Sequence, residues 1–151
     1  MDSAFFRDGI AALLPQSAYR QSAVIPCRFF QGALQVCLVT SRSRRRWIVP
    51  KGIVEEGMTP AESAAKEALE EAGIAGEILP EVMGTYRYRK WGGVCEVECF
   101  VMIVEEVLDE WLEMDRDREW VDLDEAIERV EESRLREMLE ELPLFLQERN
   151  V

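Results

Sequence analysis

Three glutamates are the residues of this sequence best placed to do chemistry. In the stretch KEALEEAGI, Glu67, Glu70 and Glu71 stand at i, i+3 and i+4. At about 100° per residue, a helix gathers their side chains within roughly a third of its circumference. Like charges so placed repel unless solvent screens them or a cation sits among them. A solvated charged face is the ordinary reading of such a segment. The other reading rests on what precedes it, the glycine-containing loop VPKGIVEEG, which brings Lys51 and Gly52 just before the helix. Clustered carboxylate oxygens suit Mg²⁺ or Mn²⁺, which take a few carboxylates and keep water and substrate phosphate in the remaining positions. On that reading the carboxylates hold the metal, the metal neutralises phosphate, and nearby arginines hold the rest of a polyanion.

The helix that must carry these acids is well marked. Thr59-Pro60-Ala61-Glu62 places Thr at the N-cap, Pro at the first helical position and Glu at the third, a capping box, and Gly73 is the stop. About three and a half turns lie between. Ala61, Ala64, Ala65, Ala68 and Ala72 form a stripe of small residues that lets the helix approach a sheet closely, while the glutamates project about a third of a turn away. Before it, SAVIPCRFF and ALQVCLVTS are expected as strands joined by a turn at Gln31-Gly32. After it, strands are expected at GEILPEVMGTYRYR and GVCEVECFVMIVEEV, with a turn near Gly92-Gly93. The chain then ends in acidic helices, LDEAIERVEE and SRLREMLEELPLFLQ, the latter with Leu135, Met138, Leu139 and Leu142 as a core-packing stripe.

Composition narrows the function classes. A chain of 151 residues with 48% hydrophobic content fits one globular domain over residues 1–151. A net charge of −12 disfavours a general nucleic-acid binder. That average conceals a split: residues 1–50 hold seven basic against two acidic residues (+5), and residues 51–151 hold eleven against twenty-eight (−17). An anionic ligand can therefore still meet a local positive field. Cys27, Cys37, Cys95 and Cys99 lie in apolar, strand-like settings without CxxC spacing, which predicts buried reduced thiols and a cytosolic setting. No apolar run approaches a membrane span. The start, MDSAFFRDGIAALLPQ, is acidic where a signal peptide is basic, and a short docking helix is expected there.

Candidate phosphate holders fall in four basic clusters: Arg20; Arg42, Arg44, Arg45 and Arg46; Arg87, Arg89 and Lys90; and Arg116 with Arg118. Each alone is as well read as a solvated charge. Together, in a protein this acidic, they favour a ligand with many phosphates, with Lys51 added from the loop. Tyr86 and Tyr88 are read either as packing residues or as a stacking surface for a base. The acidic C-terminal third is read as a solvated surface, with a homodimer contact as its other use.

Gly52 to Ile74, GIVEEGMTPAESAAKEALEEAGI, resembles the signature of the Nudix hydrolases, G-x5-E-x7-R-E-U-x-E-E-x-G-U. The match holds at Gly52, Glu67, Glu70, Glu71, Gly73 and Ile74. It departs at Met58 in place of the first Glu, Lys66 in place of Arg and Ala68 in place of the first aliphatic. Lys keeps the charge without the planar fork, and Met58 cannot pair with it, so a supporting ion pair is expected to be missing and the loop less ordered. RWIVPKG before the box and FVMIVEEVLDEWLEMDRDREWVDLDEAIERV after it are similar to the diphosphoinositol polyphosphate and diadenosine polyphosphate phosphohydrolase branch.

The resemblance implies a Nudix-type α/β/α sandwich with a mixed β-sheet between helices, and Mg²⁺-dependent (or Mn²⁺-dependent) hydrolysis of a phosphoanhydride in a polyphosphorylated small molecule. Residue by residue, it implies Glu67 and Glu71 as principal metal ligands, Glu70 as third member of the cluster and as the general base, with Glu67 the other catalytic candidate. A main-chain carbonyl at Lys51 or Gly52 is implied as a further metal ligand. Family members recruit one acid from outside the box, and Glu98 is the candidate; like Glu96, it is equally read as a half-exposed residue at a sheet edge. Arg20, Arg42, Arg44, Arg46, Lys51, Arg87, Arg89 and Arg118 are the implied substrate contacts. Hydrolysis of ADP-ribose or nucleoside triphosphates and a non-catalytic nucleotide sensor are the competing functions.

Overall fold

The structure, a computed structural model, describes residues 18–151. The docking helix expected at the N-terminus lies outside the described residues. Eight strands follow in chain order: β1 (Ala18–Phe30), β2 (Ala33–Thr40), β3 (Trp47–Ile48), β4 (Lys51–Ile53), β5 (Ile74–Ile78), β6 (Gly84–Lys90), β7 (Gly93–Val107) and β8 (Arg118–Asp122). Helix α1 (Pro60–Glu67) lies between β4 and β5, and α2 (Leu123–Arg129) and α3 (Ser133–Glu148) end the chain.

The long strands β1 and β7 form the spine. They run parallel, in register from Ala18 opposite Val94 to Cys27 opposite Ile103. Each changes its outer partner part-way along: β1 pairs with β4 and then β2, while β7 pairs with β6 and then β5, all antiparallel. β2 in turn carries β3 and β8. The sheet is therefore mixed, as expected. Two-residue turns with both central φ positive set the hairpins, at Gln31-Gly32 (φ 53° and 84°) as expected and at Trp91-Gly92 (φ 56° and 71°), one residue earlier than the glycine pair suggested.

The expected strand GEILPEVMGTYRYR is two strands. Pro80 lacks an amide donor, and the chain between β5 and β6 keeps contact with β7 only through Leu79 N to Val101 O and Met83 N to Cys99 O, at 2.9 and 2.8 Å. The short strands β3, β4 and β8 were not visible as separate elements in the hydrophobic pattern.

Helices cover both faces. Ala64, Ala68 and Ala72, all fully buried, press against Val24, Val39, Phe100 and Met102 on one face. Leu135, Met138, Leu139 and Leu142 pack on Ile25, Leu38, Val97 and Val101 on the other. This is the α/β/α sandwich the resemblance implied. All four cysteines are buried and free, and burial pushes the thiols of Cys27, Cys37 and Cys99 up to about 12. No helix among the described residues is long and apolar enough to cross a membrane.

Candidate metal and phosphate site

The capping box forms as the sequence indicates: Glu62 N donates to Thr59 Oγ1 at 3.1 Å and Thr59 N donates to Glu62 Oε1 at 2.9 Å. The helix does not continue as a regular α-helix to Gly73, however. After Glu67 it widens into a π-helical turn, Ala68–Ala72, closed by Gly73 in the left-handed conformation at φ 64°. A π-turn closes through i→i+5 bonds, so the fourth successor of a residue swings back to the other side of it, roughly a tenth of a turn away, while the third falls roughly a third of a turn away. Glu67 and Glu71 therefore stay on the same, buried side, 8% and 5% exposed, and Glu70 lies off to the side of them, paired with Lys66. The expected cluster of three is a pair plus one.

The pair sits against β4. Gly52 lies under the Glu67 carboxylate so closely that a β-carbon there would overlap it. Lys51 N donates to Glu71 Oε1 at 3.2 Å. Val24 N to Pro50 O and Val54 N to Arg20 O, both 3.0 Å, bracket Ser22 opposite Gly52, which makes that pair the hydrogen-bonded one. The Gly52 carbonyl is thus engaged with β1. Lys51 presents its amide, and with it its carbonyl, on the outer edge of β4 facing Glu71. Of the two carbonyls considered from the sequence, Lys51 supplies the available one.

Burial disfavours both negative charges. It raises the pKa of Glu67, and it pushes Glu71 up to about 8, opposed by Arg116 and the Lys51 amide and reinforced by Glu67. Each carboxyl group also perturbs the other. Arg116 stands 3.7 Å from Glu71 Oε2, and the Lys66 ammonium opposes the rise at Glu67. Arg116 is itself buried and donates to Thr40 O and Glu113 Oε1, at 2.8 and 2.9 Å. It is a fixed part of the scaffold, which corrects its reading as a phosphate holder.

Glu70 is engaged elsewhere. Lys66 Nζ lies 2.7 Å from Glu70 Oε2 and 2.8 Å from Glu55 Oε2. Those two bonds raise the Lys66 pKa. The supporting ion pair expected to be missing at Met58 is therefore present, supplied by Glu55 from three residues earlier. Among the described residues, no three acidic or cysteine side chains gather into a ready-made cation cage. A pair of carboxylates fits a cation that retains water and phosphate ligands. Oxygen-only donors, a mutually repelling buried pair and a glycine that leaves room for Glu67 together fit a hard divalent ion. Glu98 lies in the cross-strand row Gly52–Ser22–Glu98, two strand spacings or roughly 10 Å from Gly52, and pairs with Arg20 at 3.3 Å.

The basic residues divide into three sets. Arg118 donates to Ala72 O and Leu108 O at 2.8 and 2.9 Å and stacks on Trp111, so its guanidinium is committed to the helix end, a correction to its place among the substrate contacts. Arg42, Arg44 and Arg87 form exposed ion pairs with Glu113 and Asp115, with Asp115 and Asp117, and with Glu96, respectively. Exposed pairs hold weakly, and a polyanion can displace them, as it can the Arg20–Glu98 pair. Lys51 Nζ, 4.3 Å from the Tyr88 ring centre, has its pKa lowered by burial and then by the charges of Lys90 and Arg46. Lys51 is opposite Ala23, and Gly52 opposite Ser22, so the Lys51 ammonium and the Glu67–Glu71 pair occupy opposite faces of β4. Arg89 is exposed. Tyr86 and Tyr88 pack against the α3-side core, and Tyr88 donates to Gln21 Oε1 at 2.6 Å, which favours the packing reading.

Residues that sequence reasoning missed are Glu55, Trp111 and the structural role of Arg116. Trp111 Nε1 donates to Glu71 O at 3.0 Å. Its signal was the aromatic in the polar stretch LDEWLEMDRDRE.

Comparison with known proteins gives a consistent result. The family profile described as NUDIX domain matches residues 19–142. "Nudix hydrolase 13, mitochondrial" of Arabidopsis thaliana is 33% identical over 123 residues, 74% of this chain and 61% of that protein. "Diphosphoinositol polyphosphate phosphohydrolase 2" of Rattus norvegicus is 32% identical over 116 residues, 74% of this chain and 63% of that protein. The chain thus spans about six-tenths of the length of these curated relatives. Among solved structures, a C. elegans Ap4A hydrolase superposes with a TM-score of 0.73 at 22% identity, covering 85% of this chain and 98% of that one.

Proposed function

The chain belongs to the Nudix family, and we propose that it is a divalent-metal-dependent pyrophosphohydrolase. Its substrate is a polyphosphorylated small molecule, a diphosphoinositol polyphosphate or a diadenosine polyphosphate, cut at a phosphoanhydride bond. The observation that carries this reading is the Glu67–Glu71 pair, buried against Gly52 and the Lys51 amide of β4. Mg²⁺ is the expected ion, with Mn²⁺ as its substitute; Glu67, Glu71 and the Lys51 carbonyl would hold it. The ion supplies positive charge to the phosphoryl oxygens and to the attacking water.

The chain's own residues do the rest. Glu70 accepts the proton of the water as it attacks phosphorus, and Lys66 keeps that carboxylate oriented beforehand. Lys51, Arg46 and Arg89, joined by Lys90, hold phosphates beyond the scissile bond. The arginines in exposed pairs, Arg20, Arg42, Arg44 and Arg87, extend that field. This number of basic groups suits a substrate with more than two phosphates, and the name of the rat relative supports the diphosphoinositol class. The buried free thiols support a cytosolic setting.

The test is Mg²⁺-dependent turnover of diadenosine penta- and hexaphosphate, a diphosphoinositol polyphosphate and ADP-ribose, with products resolved by anion exchange. Turnover of the polyphosphates that Glu70→Gln and Glu71→Gln abolish is the expected result. Preference for ADP-ribose would overturn the substrate class, and tight binding without turnover of any of them would leave a nucleotide sensor.

A further inference from the structure

The π-helical turn has a template. Its last residues and the capping glycine present four consecutive carbonyls, and each meets a donor from the single segment 108–118. Glu113 N donates to Glu70 O at 2.9 Å, and Trp111 Nε1 to Glu71 O at 3.0 Å. Arg118 Nη1 donates to Ala72 O at 2.8 Å, and Leu108 N to Gly73 O at 2.8 Å. A helix end normally leaves its final carbonyls to water or to local caps. Here a strap more than thirty residues downstream takes all four. The Trp111 ring also closes over Gly73, where a β-carbon would stand 2.8 Å from it, and Arg118 lies 4.0 Å above that ring.

We propose that segment 108–118 is a positioning strap that holds the end of α1 in its π-turn, and that Trp111 and Arg118 thereby set where Glu71 sits relative to Glu67. In an α-helical turn the residue four on lies about 40° past the first; the wider π-turn swings it back, and Glu71 meets the Lys51 amide while Glu67 lies over Gly52, both beside β4. The π-turn is the less common conformation, and it persists where outside donors fix its carbonyls. None of the four donors is a cation ligand or a substrate contact. Trp111 and Arg118 act through the backbone of Glu71 and Ala72. The segment is also anchored at its far side, where Asp117 N donates to Thr40 Oγ1 at 2.9 Å and Thr40 N to Asp117 O at 3.1 Å, so the strap is tied to β2 and cannot drift with the helix.

The inference rests on the metal assignment made above, and its test separates the two. Trp111→Phe keeps the ring over Gly73 and removes only the donor; Arg118→Lys keeps the charge and removes the planar guanidinium, whose Nη1 donates to both Ala72 O and Leu108 O while it stacks on Trp111. Two quantities are read for each: hydrogen exchange of the Glu71, Ala72 and Gly73 amides in metal-free protein, and the Mn²⁺ dissociation constant from the electron paramagnetic resonance signal of free Mn²⁺. Faster exchange confined to those amides, with Mn²⁺ affinity about tenfold weaker and a global melting temperature close to that of the parent protein, is the expected result. In turnover, kcat at saturating metal falls while KM for substrate is unchanged. Exchange and Mn²⁺ affinity equal to the parent in both folded variants would overturn the strap, as would loss of folding in both, because its role is local. A parent protein that binds no Mn²⁺ would overturn the metal assignment while the exchange result still decided the strap.

Discussion

Replacing Gly52 with Ala isolates the cation pair from the fold. The added methyl overlaps only the tip of the Glu67 side chain, a flexible carboxylate, while the Gly52 backbone keeps its bonded pairing with Ser22. To reach ordinary van der Waals separation the carboxylate must swing away by about 1 Å or more. The cost of that displacement, about 0.5–1.5 kcal/mol for an off-rotamer side chain, is offset by the roughly 0.5–1 kcal/mol gained when Ala replaces Gly within regular structure. Moving one carboxylate off the other also relieves repulsion between two buried acids. Metal-free Gly52→Ala therefore melts within about 4 °C of the parent, a net change below ~1 kcal/mol.

Cation binding should behave differently. With one of two carboxylates displaced, Mn²⁺ affinity falls by at least about 100-fold, or ~2.7 kcal/mol. The assay is a pair of thermal melts, in EDTA and in millimolar Mn²⁺. The parent gains stability from the metal as RT ln(1 + [L]/Kd), and the variant gains little. An unchanged metal-induced shift in Gly52→Ala would refute the reasoning, because it would show that Glu67 need not lie against β4 to bind. Collapse of the metal-free melt would refute it in another way, by making Gly52 a folding requirement.

Two further outcomes follow from the charges around the pair. Glu71 is raised from an ordinary 4.5 to about 8, so the folded metal-free protein binds its proton more tightly than the unfolded chain does. Stability then falls as pH rises through the interval from 4.5 to about 8; in EDTA, Glu71→Gln should melt above the parent at alkaline pH and converge with it in acid, and a gap independent of pH would count against the charged pair. Glu55→Gln removes one of the two carboxylates on Lys66; amide exchange in the loop over residues 54–58 should quicken at low salt with the melting temperature unchanged, and equal exchange rates would show that Glu55 does not order the loop.

The sequence displayed those features of the fold that depend on local chemistry. The capping box at Thr59, the alanine stripe, the turn at Gln31-Gly32 and the stripe from Leu135 to Leu142 are all set by residues within a few positions of one another, and all are present, the alanine stripe without Ala65, which is half-buried and outside the packed set. β4 has three residues and β3 two, too few for an alternating pattern, yet β4 supplies both the glycine under Glu67 and the amide on Glu71. The π-turn was invisible for another reason. Spacing converts to angle only if the period is known, and here the period is set by Trp111 and Arg118, 40 and 46 residues from the carbonyls they bind. The arginines were partly decidable: a turn at Trp91-Gly92 places Arg87 opposite Glu96 by register alone, and the alternation in EMDRDRE already offered Asp115 and Asp117 as partners.

The acidic balance of the chain and its chemistry pull in opposite directions at one place. A protein of net charge −12 gains nothing from placing two of its carboxyl groups side by side in a buried position, and it does so with the Arg116 guanidinium 3.7 Å from Glu71. Three devices keep the pair from separating: alanines that press the helix to the sheet, a glycine that yields space on β4, and a strap that fixes the helical period. Each lies outside the carboxylates, and none would be needed for a solvated glutamate face, which could relax into water. The arrangement is poised for a positive charge from outside the chain. A divalent cation delivered with a polyphosphate would meet that need on the proposed reading, with Lys51, Arg46 and Lys90 as the phosphate contacts. Transplanting the glutamates alone onto another helix would therefore be expected to give a solvated acidic surface with weak Mn²⁺ binding. Restoring the glycine and the strap should be what recovers affinity.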